Sequence, residues 1–122
     1  MVTWAESRGS YAGTAELWAY NSKLFDVEVA LTGFVNVVPI KTMGSETDKD
    51  TTVSWNGVLL GGISEIEQNR LLGQRLELHL PTGKVGNVVL TNNKGSLRCT
   101  HWPPFPIEYN GTEVNDESEI TT

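Results

Sequence analysis

Apolar and polar residues alternate along much of this chain, which is the pattern of β-strands that bury one face. The clearest run covers residues 25–35, where every second position from Phe25 to Val35 falls on one face of a sheet. Residues 12–20 alternate in the same way, and Asn21-Ser22-Lys23 between the two runs predicts a hairpin with a short loop and a bulge. Further strands are predicted over the following ranges: 53–60, 75–80, 86–91 and 96–102.

Two stretches interrupt the alternation before residue 75. Residues 41–50 are polar and charged, which predicts a long exposed loop that is either a lid over a site or a solvated excursion. Residues 63–72 have apolar positions at helical spacing, which predicts at most a short turn of helix.

The segment Trp102-Pro103-Pro104-Phe105-Pro106 predicts where the last strand ends. Proline has no amide hydrogen to donate to a sheet ladder, so a central strand cannot continue through positions 103–106. The polar, acidic residues that follow offer little to bury.

Together these elements predict an all-β domain of about six short antiparallel strands. A small, mostly up-and-down barrel is the first choice because closure removes exposed strand edges, and a flattened β-sandwich is the alternative. The predicted organisation is an N-terminal extension over residues 1–10, the barrel over 11–106 and a disordered acidic tail over 107–122.

The distribution of charge bears on the choice of partner. The formal net charge is −6, but the tail carries an excess of acidic residues and no Lys or Arg: Glu108, Glu113, Asp116, Glu117 and Glu119. The cations of the remainder are spread along the chain without a cluster, which argues against binding to nucleic acid.

Cysteine content and hydropathy indicate the compartment. A single cysteine, Cys99, excludes an intramolecular disulfide and a four-cysteine zinc site, so we expect no metal and a reducing environment. The N-terminus lacks the apolar stretch of a secretory signal, and no run approaches the ~20 apolar residues of a membrane span. The sequence therefore predicts a cytoplasmic protein that does not bind membranes.

The landmarks of the predicted strands resemble a small all-β family of unknown function found mainly in actinobacteria. The matching segments are Tyr11-Ala12-Gly13-Thr14-Ala15, Val29-Ala30-Leu31-Thr32-Gly33-Phe34, Trp55-Asn56-Gly57, Pro81-Thr82-Gly83 and Pro103-Pro104-Phe105-Pro106. The resemblance implies a domain that is attached to flavin-dependent oxygenases or stands alone. This chain departs from the family pattern at Ser54 and Val58, where the family often carries His and Arg. The size and architecture are also similar to small β-barrel polyketide cyclases, including [4+2] cyclases, although no motif matches them.

Few residues offer catalytic chemistry. His101 shares a predicted strand face with Leu97 and Cys99, so it is a candidate catalytic group that polarises a carbonyl or, alternatively, a hydrogen-bonded structural histidine. Cys99 is a nucleophile only if its pKa is lowered, and a buried inert thiol is the alternative. His79 alternates with leucines and is expected to face solvent. No nucleotide-binding motif is present, so no cofactor is expected.

Two functional hypotheses follow. In the first, the barrel binds a hydrophobic small molecule and acts as a cofactor-independent cyclase or isomerase of natural-product biosynthesis, by folding its substrate and excluding water. The ligand-binding candidates are Tyr20, Trp55, Cys99, Trp102 and Phe105, with Met43 on a lid. In the second, the protein is a non-catalytic accessory or interaction domain that docks on an oxygenase, or on a second copy as a homodimer, through exposed aromatic surface such as Trp18 and Phe34. A cavity large enough for a drug-sized ligand favours the first hypothesis, and a filled barrel with a flat exposed aromatic patch favours the second.

Overall fold

The computed structural model describes residues 3–120, within which six antiparallel strands close into a barrel. In chain order they are β1 (Trp4–Ala19), β2 (Ser22–Thr42), β3 (Ser45–Gly61), β4 (Arg75–His79), β5 (Val85–Leu90) and β6 (Ser96–Thr100). The strands pair in the order β1-β2-β3-β6-β5-β4, and β4 closes the ring by pairing with β1 at Leu17 and Leu78. The predicted all-β barrel is confirmed.

The first hairpin is tighter than the sequence predicts. Ala19 pairs with Ser22, so the turn consists of Tyr20 and Asn21 alone, with φ angles of 51° and 63°. Positive φ at both positions gives the turn the twist that flanking strands prefer. The predicted bulge is present, because the register shifts between Leu17 and Trp18.

The prediction of a long loop over residues 41–50 is wrong. Strands β2 and β3 remain paired as far as Thr42 and Ser45, and only Met43 and Gly44 form the turn, with a φ of 79° at Gly44. Residues 41–49 lie on an exposed two-stranded ribbon, where pairing satisfies the backbone and both faces meet water, whereas Asp50 at its base is buried. Polar composition therefore indicated exposure here but not the absence of a strand.

Helix α1 (Glu65–Leu71) connects the two halves of the barrel, and it confirms the short helix predicted between β3 and β4. Ser64 caps it by accepting a hydrogen bond from the Glu67 amide at 3.2 Å, while the Ser64 hydroxyl donates to the Glu67 carboxylate at 3.1 Å. Ile63 and Leu71 pack against the barrel core, so the helix lies over it.

The C-terminal residues differ from the expected disordered tail. Strands β7 (Ile107–Tyr109) and β8 (Thr112–Val114) form a second hairpin, followed by a 3-10 turn, Glu117–Ile120. Asn110 and Gly111 form its turn with φ angles of 49° and 80°. The cross-strand partners Ile107 and Val114 are both buried, so this hairpin has an apolar face that the acidic composition concealed. Thr121 and Thr122 of the predicted tail lie outside the described residues.

The hairpin is anchored at a pair of glycines in the long strands. Gly9 of β1 pairs with Gly33 of β2, and the side chain of Ile107 fills the space over them. A Cβ added at Gly33 would overlap Ile107 Cδ1 and lie 3.1 Å from Phe105 Cε2. Residues 1–10, predicted as an extension, thus contribute to the folded sheet from Trp4 onward.

A buried carboxylate holds the same hairpin from its other end. Asp50 of β3 has a side chain only 5% exposed, and its Oδ2 accepts from Arg8 Nη1 at 2.7 Å and from the Asn110 amide at 2.6 Å. Asn110 Oδ1 accepts from the Asp50 amide at 3.0 Å, and the Tyr109 hydroxyl donates to the carbonyls of Asp50 and Thr51. The barrel and the C-terminal hairpin therefore share one hydrophobic and hydrogen-bonded unit.

Candidate functional site

The interior of the barrel is occupied by side chains. The fully buried aliphatic side chains of its strands are Leu17, Val29, Leu31, Val35, Val37, Leu76, Leu78, Val88 and Leu90. Leu80, which follows β4 and continues the alternation of Leu76 and Leu78, is also buried. Six strands enclose a narrow barrel, and branched side chains of this size fill such a space.

The proline-rich segment after β6 closes one end of the barrel. Pro103, Pro104 and Phe105 are buried, and the Phe105 ring meets Trp55 edge to face at a centroid distance of 6.1 Å. The packing is close, because a Cβ at Gly86 would lie 2.8 Å from Pro104 Cγ and would also crowd Trp55. Trp55 Nε1 donates to the Thr100 carbonyl at 3.2 Å. This segment acts as a plug at this end of the barrel.

The predicted ligand-binding residues do not converge on one site. Tyr20 and Met43 occupy the turns of separate hairpins, where Tyr20 is 85% exposed and Met43 is fully exposed. Trp55 and Phe105 belong to the core. Trp102 is half-buried, and its indole nitrogen has no hydrogen-bond partner in the described structure. Met43 therefore lies on a ribbon tip and not on a lid over an aromatic pocket.

His101 faces outward, in contrast to its predicted inward position. Strand β6 ends at Thr100, and His101 adopts a left-handed conformation with a φ of 63° that takes it out of the strand alternation. The side chain is exposed, and its Nδ1 lies 3.1 Å from the Thr100 hydroxyl. The alternation that placed His101 beside Cys99 holds only while the strand continues, which explains the difference.

Cys99 has the environment of a structural thiol. It pairs with Val88 of β5 and packs against the core, and its burial raises the pKa of the thiol to about 12. A thiolate is the nucleophilic form of cysteine, so this group is not activated at neutral pH. Within residues 3–120, no three His, Cys, Asp or Glu side chains are placed to hold a metal ion.

The strongest candidate for a functional site is a groove on the outer face of β4, β5 and β6, which we call the outer groove. It has a volume of about 450 Å³ and is lined by Arg75, Leu76, Asn87, Val88, Val89, Arg98, Thr100 and His101. Its polar side chains come from exposed positions of the three strands and from His101 just after β6, while Leu76 and Val88 belong to the core beneath.

Strand register determines the order of side chains in the outer groove. Arg75 of β4 pairs with Val89 of β5, which pairs with Arg98 of β6, so one row across the sheet carries an arginine on each side of a half-buried valine. The next row on this face contains Glu77, Asn87 and Thr100, of which Glu77 lies outside the lining of the groove. Cross-strand neighbours in register lie side by side on the same face, so these groups form one surface.

Neither arginine of the outer groove is neutralised. Within the described part of the chain, the ion pairs involve Arg8, Lys23 and His79, while Arg75 and Arg98 have no hydrogen-bond or ion-pair partner. The outer groove also has no Asp or Glu in its lining. The site therefore presents two guanidinium groups, an amide, a hydroxyl and an imidazole in a protein whose net charge is −6.

Two other surface grooves are acidic. One of about 440 Å³ is lined in part by Glu16, Asp26 and His79, and another of about 540 Å³ includes four carboxylates: Glu6, Asp48, Asp50 and Glu108. The outward-facing aromatic Trp18 lies beside the first of these, stacked on His79 at a centroid distance of 4.5 Å. Its indole donates to Glu16 at 3.0 Å and lowers the pKa of that carboxylate. Most of the polar side chains beside this first groove are thus already bonded to other side chains of the protein.

Sequence reasoning missed the outer groove because its cations are far apart in the chain. Arg75 and Arg98 lie on strands separated by β5, and nothing local marks them as neighbours. Strand register was the signal that could have found them. Alternation places each arginine at an outward position, and pairing of β5 with both β4 and β6 would have aligned the two arginines with Val89.

No protein-family model matches this chain, and no curated protein or solved structure matches it. The resemblance to an actinobacterial β-domain family therefore stays a prediction. None of the helices between residues 3 and 120 is long and apolar enough to cross a membrane.

Proposed function

We propose that this protein is a non-catalytic interaction domain that docks on a partner protein through the outer face of β4, β5 and β6. The observation that carries the proposal is the filled interior: aliphatic side chains occupy the barrel, and the Pro103-Pro104-Phe105 plug packs against Trp55 at one end. A chemical role inside the barrel needs room for a substrate, whereas a docking role needs only a shaped surface.

The outer groove has the composition of a docking surface. Arginine is enriched at protein interfaces because its planar guanidinium makes several directional hydrogen bonds and stacks on apolar surface. Val89 between Arg75 and Arg98 offers a half-buried apolar contact at the centre of a polar rim. In protein interfaces, the residues that contribute most to the binding energy often lie at such an apolar centre with polar residues around them.

The cyclase hypothesis receives less support and stays a prediction. A drug-sized ligand occupies roughly 300 Å³ or more of enclosed, mostly apolar space. The most apolar groove described here, lined by Tyr11, Leu80 and Phe105 among others, has a volume of about 190 Å³ and lies outside the barrel. The cytoplasmic location expected from the single cysteine is part of the same proposal, because a cytoplasmic enzyme is the kind of partner that the family resemblance implies.

The proposal is tested by affinity capture from a lysate of the source cells, with four immobilised forms of the protein. We expect the wild type to retain one partner in constant ratio, Val89→Glu and Arg98→Ala to lose it, and Arg70→Ala, which changes an exposed arginine on α1, to retain it. Each captured sample is quantified by mass spectrometry. Equal retention by all four forms, or capture of no protein together with binding of an apolar small molecule inside the barrel, would contradict the proposal.

A further inference from the structure

We infer that the outer groove recognises an extended acidic peptide segment, whose carboxylates bind Arg75 and Arg98. This inference rests on the proposed docking function and adds the chemistry of the partner segment. It follows from the charge, spacing and donor content of the groove.

Charge is the first argument. Arg75 and Arg98 have no ion-pair partner in the described structure, and the nearest acidic side chain in register, Glu77, already accepts a hydrogen bond from His79 at 3.0 Å. Each guanidinium thus keeps its donors for an external group. Carboxylates are the natural partners, since they accept two parallel hydrogen bonds from one guanidinium.

Spacing is the second argument. Arg75 and Arg98 occupy one cross-strand row with a single strand between them, so their Cα atoms are about 10 Å apart. An extended peptide places side chains on the same side about 7 Å apart at alternate positions. The flexible stems of two arginines span that difference, so both can engage a segment with acidic residues at positions i and i+2 that crosses the strands over Val89.

The remaining donors fit a peptide backbone. Asn87 and Thr100 lie in the next row of the groove, and both side chains are exposed. The Nδ1 atom of His101 lies 3.1 Å from the Thr100 hydroxyl, so Nε2 is the ring nitrogen that is free to bind a peptide. These groups supply hydrogen bonds to the carbonyls of an extended chain, which a free anion does not present.

The groove is less suited to a polyphosphate. Nucleic-acid binding relies on many phosphate contacts, and this site offers two arginines in a protein with a net charge of −6. A short acidic segment needs only the two arginines.

The inference is tested with a hexaglutamate peptide titrated into ¹⁵N-labelled full-length protein at low salt, followed by NMR chemical shifts. We expect shifts of the amides of Arg75, Val89 and Arg98, and about fivefold to tenfold weaker binding for Arg75→Ala or Arg98→Ala, as for the loss of one charged hydrogen-bonded pair. The matched control, Arg70→Ala, should bind as the wild type does. Raising the salt concentration should weaken binding.

Several outcomes would overturn the inference. Shifts centred away from the groove, equal weakening by Arg70→Ala, or equally strong binding of hexaglutamine would each do so. Inorganic phosphate that reproduces the peptide shifts at the same concentration would indicate a site for a free oxyanion. Salt-sensitive dimerisation that Arg75→Ala abolishes would identify a second copy as the occupant. If hexaglutamate fails but capture still depends on Val89 and Arg98, the docking function stands and the acidic segment is wrong.

Discussion

The contact between Gly33 and Ile107 gives a sharp prediction about the C-terminal hairpin. A methyl group at Gly33 would overlap Ile107 Cδ1, so Gly33→Ala should destabilise the fold by about 1–3 kcal/mol through overpacking. Ile107→Val removes that Cδ1 atom at a cost of about 0.5–1.5 kcal/mol. In the double variant the new methyl group occupies the vacated space. We therefore expect it to lie within about 1 kcal/mol of Ile107→Val alone, a favourable coupling of about 1–2 kcal/mol.

The coupling is measured by urea unfolding of the wild type, both single variants and the double variant, followed by tryptophan fluorescence. Gly61→Ala is the matched control, because a Cβ there meets nothing within 4 Å and should change stability by less than about 0.5 kcal/mol. Additive effects of the two substitutions, or an unchanged stability of Gly33→Ala, would mean that Ile107 does not pack over Gly33. The hairpin would then be separable from the barrel.

Two further predictions concern buried polar groups. Asp50→Ala removes the partner of Arg8 and of the Asn110 amide, so chemical denaturation should show that the free energy of unfolding falls by about 2–4 kcal/mol. Asp48→Ala, at an exposed neighbouring position, should change it little. Equal effects of the two substitutions would refute a role for the buried pair. Burial raises the pKa of Cys99 from 9.0 to about 12, so the folded state keeps a proton that the unfolded state loses. Stability relative to Cys99→Ala should therefore fall as pH rises from about 9 towards 12, and a constant difference between pH 8 and pH 11 would contradict the burial of this thiol.

Alternation of apolar residues predicted the barrel well where one face of a strand is buried. The second strand and the Leu76, Leu78 and Leu80 series were identified correctly because burial imposes a period of two. The same signal disappears where both faces are exposed, which is why the ribbon ending at Met43 was predicted as a loop. Backbone pairing continues there without any requirement on side chains.

The C-terminal hairpin was overlooked for a different reason. Composition dominated the prediction, because the segment is acidic, although Asn110-Gly111 is a strong signal for a two-residue hairpin turn. Its burial depends on Gly9 and Gly33, which precede Ile107 by 98 and 74 residues, and on Asp50. Such long-range complementarity leaves no local pattern, and the same is true of the arginines in the outer groove.

The end of β6 shows how a small error in strand length changes a functional prediction. Continuing the alternation by one residue placed His101 in the interior, whereas its left-handed backbone places it on the rim of the outer groove. The residue stays part of the candidate site, but as a neighbour of exposed arginines and not of the partly buried Cys99. Under the proposed function, His101 takes part in docking and not in catalysis inside a cavity.

The central claim is that the barrel is filled and is plugged at one end, so that function resides on its outer surface. A crystal structure of the protein under xenon pressure tests this most directly, with Phe105→Ala as a positive control, because truncation of the plug should open an apolar cavity that binds the gas. We expect no xenon among Leu17, Leu31 and Leu78 in the wild type, and xenon beside Trp55 in Phe105→Ala. Several xenon atoms inside the wild-type barrel would reveal a chamber for a ligand and contradict the account.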